Sequence, residues 1–246
     1  MNINRLVKTT AVAAVFAASA TLGAAETFRW ASKTDPDTMD PHAGSSAPVL
    51  SFLNNVYEGL VRRGRDMSIE PSLAVSWEPL VGDHGWRFTL REGVVFHDGA
   101  TFNADDVLFS YNRASDETSD VRSWFAPVSE VRVVSEYVVD FVTKAPNPLF
   151  PDSIANFMIV DQGWAKSNAS TLPARDSENF ATLNTNGTGA FLLSSRDPGV
   201  STRLLPNSAW WGDVEHNVTE AVFTPIDNAA TGLAALLSGE IDFIQP

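Results

Sequence analysis

The chain has 246 residues, no cysteine, and 30 acidic against 17 basic side chains, for a formal net charge of -13. So acidic a surface repels phosphate backbones, which excludes nucleic acid as an expected partner, and the absence of cysteine excludes a disulfide framework. With 44% hydrophobic residues, the fold must be held by burial in one large core or two modest ones.

In chain order, the first 25 residues carry Arg5 and Lys8, an apolar stretch from Ala11 to about Ala20, and small residues at Gly23, Ala24 and Ala25. This is the pattern of a cleavable secretory signal peptide, with cleavage expected after Ala25 and the mature chain expected in the periplasm. The apolar stretch is shorter than the roughly 20 residues a spanning helix needs. Residues 27–33 alternate Phe28, Trp30 and Ser32 with polar neighbours and predict a first strand. A polar loop over 35–46 leads to a helix predicted over 48–58, with Pro48 in its first turn and Val49, Leu50, Leu53, Val56 and Tyr57 as its apolar stripe. Arg62, Arg63, Gly64 and Arg65 read as a solvated loop.

Val75, Trp77, Trp86, Phe88 and Leu90 alternate on either side of Gly82-Asp83-His84-Gly85 and predict a hairpin. After the turn Phe96-His97-Asp98-Gly99, Asn103 stands at an N-cap with Asp106 three residues on, ahead of Val107, Leu108 and Tyr111 on one helical face. Residues 128–134 and 137–143 predict a second hairpin, and 166–186 reads as loop and short helix. Strands are predicted over 191–195, 201–205 and 218–226. Asp227 is placed as the cap of a helix through Leu233, Leu236 and Leu237, ended by Gly239, and Ile241, Phe243 and Ile244 begin a strand that stops at Pro246. A chain that stops as a strand begins is expected to be the N-terminal part of a longer protein. The mixed order of strands and helices predicts an α/β or α+β fold.

Leu90-Arg91-Glu92-Gly93-Val94-Val95-Phe96-His97-Asp98-Gly99, followed by Ala104-Asp105-Asp106-Val107-Leu108-Phe109-Ser110, resembles the extracytoplasmic solute-binding proteins of peptide, nickel and oligopeptide ABC transporters. Asp40-Pro41-His42, Val56-Tyr57-Glu58-Gly59-Leu60, Gly187-Thr188-Gly189, Trp210-Trp211 and Gly239-Glu240-Ile241-Asp242 agree with that family in the same order. The resemblance implies a fold like the type II periplasmic binding proteins. Residues 26–61 and 187–246 would build the first lobe, 62–186 a small inserted subdomain, and the second lobe would be missing. It implies a receptor that captures a peptide or other small solute and delivers it to a membrane permease, as a monomer when complete and without a cofactor.

The same resemblance places cargo contacts at Ser45, Ser46 and Ala47, at Trp124 and Phe125, and at Gly187, Thr188 and Gly189. An extended ligand could satisfy its backbone groups against protein backbone there, with Trp124 and Phe125 as a pocket wall. The residues themselves leave alternatives open: solvated loop serines, core aromatics, and a plain glycine turn before Phe191. The histidines, His42, His84, His97 and His216, are not paired at ligand spacing, so no metal site is expected, and His97 reads as a turn residue bonded within its own loop. The rival readings are a secreted hydrolase acting through Asp98, Asp105 or Asp106, and a lobe acting as an interaction or chaperone-like module. Adjacent helical carboxylates point about 100 degrees apart, which counts against the hydrolase, and no catalytic residue is expected.

Overall fold

The computed structural model describes residues 26–214 and 216–245. The predicted signal peptide, residues 1–25, and the stop at Pro246 lie outside the described residues. Among the described residues no helix is long and apolar enough to cross a membrane. In chain order the elements are β1 (Glu26–Ser32), α1 (Ala47–Leu53), β2 (Val61–Arg63), β3 (Ile69–Pro71), β4 (Ala74–Pro79), β5 (Gly85–Leu90) and α2 (Ala104–Ala114). There follow β6 (Val128–Ser135), β7 (Val138–Thr143), α3 (Phe150–Ser153), α4 (Gln162–Ser167), β8 (Phe191–Asp197), β9 (Ser201–Pro206), β10 (Val218–Pro225), α5 (Ala229–Ser238) and β11 (Phe243–Gln245).

A five-stranded sheet runs in the order β11, β1, β10, β9, β8, with β1 parallel to both its neighbours and the rest antiparallel. The alternation in β1 sets Trp30 opposite Phe223 of β10, and α1 lays Phe52 on both rings, with centroids 6.0 and 5.7 Å away. Ala31, on the reverse face, packs with Ala235 of α5 and with Ile241. A four-stranded antiparallel sheet, β4-β5-β7-β6, carries α2 on its apolar face. Its centre is Phe141, whose ring meets Phe88, Tyr111, Phe150 and Phe157 at 5.5 to 6.5 Å. Edge-to-face aromatic pairs of this kind add about 0.5–1.5 kcal/mol each beyond their burial.

The capping box of α2 is present as expected: Asn103 Oδ1 accepts from the Asp105 amide at 2.8 Å and Asp106 Oδ2 from the Asn103 amide at 3.1 Å. Four expectations need correction. Helix α1 ends at Leu53 and not at residue 58, because the carbonyls of Asn55 and Val56 accept from the amides of Phe191 and Gly189, and the Asn54 and Asn55 side chains bond back onto α1 carbonyls. Val75 is 41% exposed, since the register shifts between Ala74 and Ser76 and turns it away from the core. Arg62 and Arg63 lie in β2, where they pair with Glu70 and Asp152, and not in a free loop. The cap of α5 is Asn228, whose Oδ1 accepts from Ala230 and Thr231, while Asp227 only precedes it. Gly239 closes that helix at φ 76°, a backbone that favours glycine.

Candidate functional site

The motifs that stand out in the sequence meet at the junction of the two sheets. The His97 amide donates to Gly187 O at 2.9 Å, its Nε2 lies 3.1 Å from Gly189 O, and its Nδ1 accepts from the Gly187 amide, which fixes the proton on Nε2. The Asp98 amide donates to Asn186 Oδ1, and Asn186 Nδ2 to Asp161 Oδ2. Asn207 Nδ2 also donates to Gly189 O. Glu58 is the junction's acidic centre. It accepts from Trp211 Nε1 at 2.7 Å, Thr188 Oγ1 at 2.8 Å and Trp210 Nε1 at 3.2 Å, and Arg91 caps the Trp211 ring at 4.0 Å. Burial pushes the Glu58 carboxyl above its ordinary pKa, and these three donors oppose the shift.

The loop between β1 and α1 forms a second cluster. Its residues 38–44 are buried, and the chain emerges again at Ser45, Ser46 and Ala47. Asp40 and Arg113 of α2 form a two-pronged ion pair at 2.6 and 2.5 Å, with side chains 0% and 1% exposed. Burial alone would raise the Asp40 pKa, but the hydrogen bonds and charge of Arg113 hold it below its ordinary value. His42 Nδ1 accepts from Arg113 at 3.1 Å and Nε2 donates to Met158 O at 3.0 Å. Burial, followed by the Arg113 charge, drives the His42 pKa down to about 3, so the ring is neutral. The carbonyl of His42 accepts from the Asp120 amide at 3.0 Å and from Ser119 Oγ at 3.1 Å. That contact draws the loop 119–125 beside the loop 43–47, and a recess of about 530 Å³ opens next to Ser119, Asp120 and Ser123.

Two of the three expected groups lie on segments that the His42 carbonyl joins. Ser45, Ser46 and Ala47 are exposed, and Ser46 stands at the N-cap of α1 without using its hydroxyl to cap it. Trp124 is half-buried on the adjoining loop. Phe125 is 3% exposed, its ring against Phe157 at 4.8 Å and Tyr111 at 5.3 Å, so most of it belongs to the core, and it also lines the recess beside Ser123. Gly187, Thr188 and Gly189 lie apart, at the junction. A Cβ on Gly187 would stand 2.1 Å from Val56 O and one on Gly189 2.6 Å from Val56 C, so the close approach these glycines permit is to the protein's own backbone.

One histidine reading changes as well: His97 bonds a segment 90 residues away and not its own loop. His42 has both nitrogens engaged inside the protein. Among the described residues no three His, Cys, Asp or Glu gather as metal ligands. Asp105 is exposed while Asp106 is buried, both Asp106 oxygens take backbone amides, and Asp98 Oδ1 accepts from Ala100. Arg113 was missed in the sequence. The signal for it was available: a cation on the buried face of α2, three residues after Ser110, demands an anion, and Asp40 is the acid inside the most apolar part of its loop.

Residues 68–246 match the bacterial extracellular solute-binding proteins, family 5 Middle. The periplasmic murein peptide-binding protein MppA of Escherichia coli K12 is 24% identical over 87% of this chain and 42% of its own length. MoaA from the Agrobacterium strain R10, solved in complex with mannopinic acid, superposes with a TM-score of 0.79 at 25% identity, over 91% of this chain and 45% of that one. DppA of Helicobacter pylori, solved in complex with the peptide STSA, gives a TM-score of 0.74 at 24% identity, over 88% and 46%. The chain spans about two-fifths of the length of the curated relatives it matches. The match covers most of the chain, including the capped helix and the Gly187–Gly189 side of the junction, and the chain belongs to the bacterial extracellular solute-binding proteins of family 5.

Proposed function

We propose that this chain carries the cargo-facing part of a periplasmic receptor for an ABC importer, which takes up a peptide or a related small solute and passes it to a membrane permease. The reading rests on one contact: the His42 carbonyl joins the segment that leads to Ser45 and Ser46 to the segment that leads to Trp124, and in this reading those side chains share one rim. Hydroxyls and backbone beside a half-buried indole suit an extended peptide, whose own amides need partners and whose side chains need a tolerant wall. The peptide named with MppA and the peptide bound to DppA support that cargo class. In this reading residues 62–186 act as an inserted subdomain, and a second lobe closes over the rim. Closure needs cargo to bind the closed form more tightly, and a hundredfold shift in population corresponds to about 2.7 kcal/mol.

The test is a titration with trialanine, read by tryptophan emission. A saturable change that weakens at least tenfold in Trp124→Ala, equivalent to about 1.4 kcal/mol, supports the reading. A wild-type chain whose emission does not respond to any alanine peptide from two to five residues overturns it. A second reading, an interaction module, is favoured by the apolar surface around α5 and β11, where Leu237 is 79%, Leu233 55% and Phe243 48% exposed.

A further inference from the structure

The pose of the rim depends on one side chain. We propose that Arg113 is a positioning residue for the cargo rim, setting loops 43–47 and 119–125 relative to each other through Asp40, His42 and the backbone at 170–172. The proposal rests on the reading of those loops as the cargo-facing surface.

A guanidinium has five N–H donors in a fixed fork, and all five are used here. Nε donates to Ser170 O at 3.1 Å, Nη1 to Asp40 Oδ1 at 2.6 Å and His42 Nδ1 at 3.1 Å, and Nη2 to Asp40 Oδ2 at 2.5 Å and Leu172 O at 3.3 Å. Each acceptor belongs to a segment that leads to the rim. Asp40 Oδ1 also accepts the His42 amide and Asp40 O the Ala43 amide, which turns the chain toward Ser45. His42 O holds Ser119 and Asp120, and beyond Leu172 the chain reaches Arg175, which lies 3.7 Å from Asp120. A helix of the four-stranded layer thereby fixes three loops at once. Burying an ion pair gains little over apolar packing of the same volume. The saturated fork gives this one a role that apolar packing could not fill, because no hydrocarbon can hold a carboxylate, an imidazole nitrogen and two carbonyls in one geometry.

Amide hydrogen exchange of the full chain, read by mass spectrometry, tests the inference. The variants are Arg113→Met, Arg113→Lys and the control Arg87→Met, which breaks an equally two-pronged pair with Asp140 in the four-stranded sheet. Arg113→Met is expected to speed exchange over 39–47 and 119–125 at least tenfold more than over β6 and β7. Arg113→Lys is expected to keep the charge yet recover only part of the protection, and Arg87→Met to leave the rim as it is. Where Arg113→Met does not fold, the lysine variant decides by the same comparison of rim against β6 and β7. Because this readout needs no cargo, its failure strikes the positioning role alone, whereas failure of the peptide titration strikes the receptor reading. Unchanged exchange at the rim in a folded Arg113 variant, or uniform acceleration over the whole chain, overturns the inference.

Discussion

At the residue scale, His42 has the clearest consequence. Its ring is neutral in the fold, with a pKa of about 3 against an ordinary 6.5. The unfolded chain therefore binds the proton first as pH falls. The contribution of neutral His42 is complete above pH 6.5 and declines below it, at up to about 1.4 kcal/mol per pH unit until the folded pKa is reached. Asp106 acts in the opposite sense. Burial raises its pKa to about 6 from 3.8, so what it contributes is complete below 3.8 and lost as pH rises through 6. The two overlap between pH 4 and 6, and comparing variants separates them: urea denaturation at pH 7, 6 and 5 is expected to show a shallower loss in His42→Gln than in the wild type. Removing one member of the Asp40–Arg113 pair leaves an uncompensated buried charge. Arg113→Met is accordingly expected to lower unfolding free energy by about 3–5 kcal/mol, measured by the same denaturation at pH 7.

At the scale of elements, the junction depends on close backbone approach and on one carboxylate. Gly187→Ala would force a Cβ to within 2.1 Å of Val56 O, an atom that cannot swing away as a side-chain end can. The expected cost is about 1–3 kcal/mol, read as a lowered midpoint in thermal unfolding. Glu58→Gln keeps the shape but turns an amide donor toward indole and hydroxyl donors, so at least one of Trp210, Trp211 and Thr188 loses its acceptor. A loss of about 1–3 kcal/mol with a shift in tryptophan emission is expected. Hairpins, capping box and terminal helix were legible here, because each is set by residues adjacent in sequence: Asn103 with Asp106, or Trp77 with Phe88 across a short turn. The end of α1 was not, since what stops it is the arrival of Gly189 and Phe191 from more than 130 residues away.

At the scale of the molecule, α5 is the outlier. Its sequence is apolar nearly all round, yet only Gly232 and Ala235 are buried, while Leu233 and Leu237 face outward. A helix with that composition ordinarily has cover on both sides. Leu233→Lys with Leu237→Lys is expected to leave unfolding free energy within about 0.5 kcal/mol per site and to reduce self-association seen by sedimentation at high concentration. An unchanged sedimentation profile would show that this stripe does not drive association. The opposite face of the five-stranded sheet bears a groove of about 410 Å³ along Phe28, Trp30 and Phe243, so apolar surface is uncovered both on that sheet and on α5, away from the aromatic centre at Phe141.

Taken alone, the sequence determined the mixed fold and the family, because those rest on local periodicity, caps and an ordered run of motifs that need no knowledge of distant contacts. It also pointed to Ser45, Ser46, Ala47 and Trp124, which the structure leaves exposed or half-buried on neighbouring loops. The tertiary structure decided what the motifs are for. Gly187, Thr188 and Gly189 became a backbone seat and Phe125 largely a core ring, while Asp40, His42 and Arg113 became a buried polar cluster. The reason is physical: whether a polar or small residue faces solvent or another segment depends on desolvation and on partners 70 to 130 residues away, and neither quantity is written in its immediate neighbours.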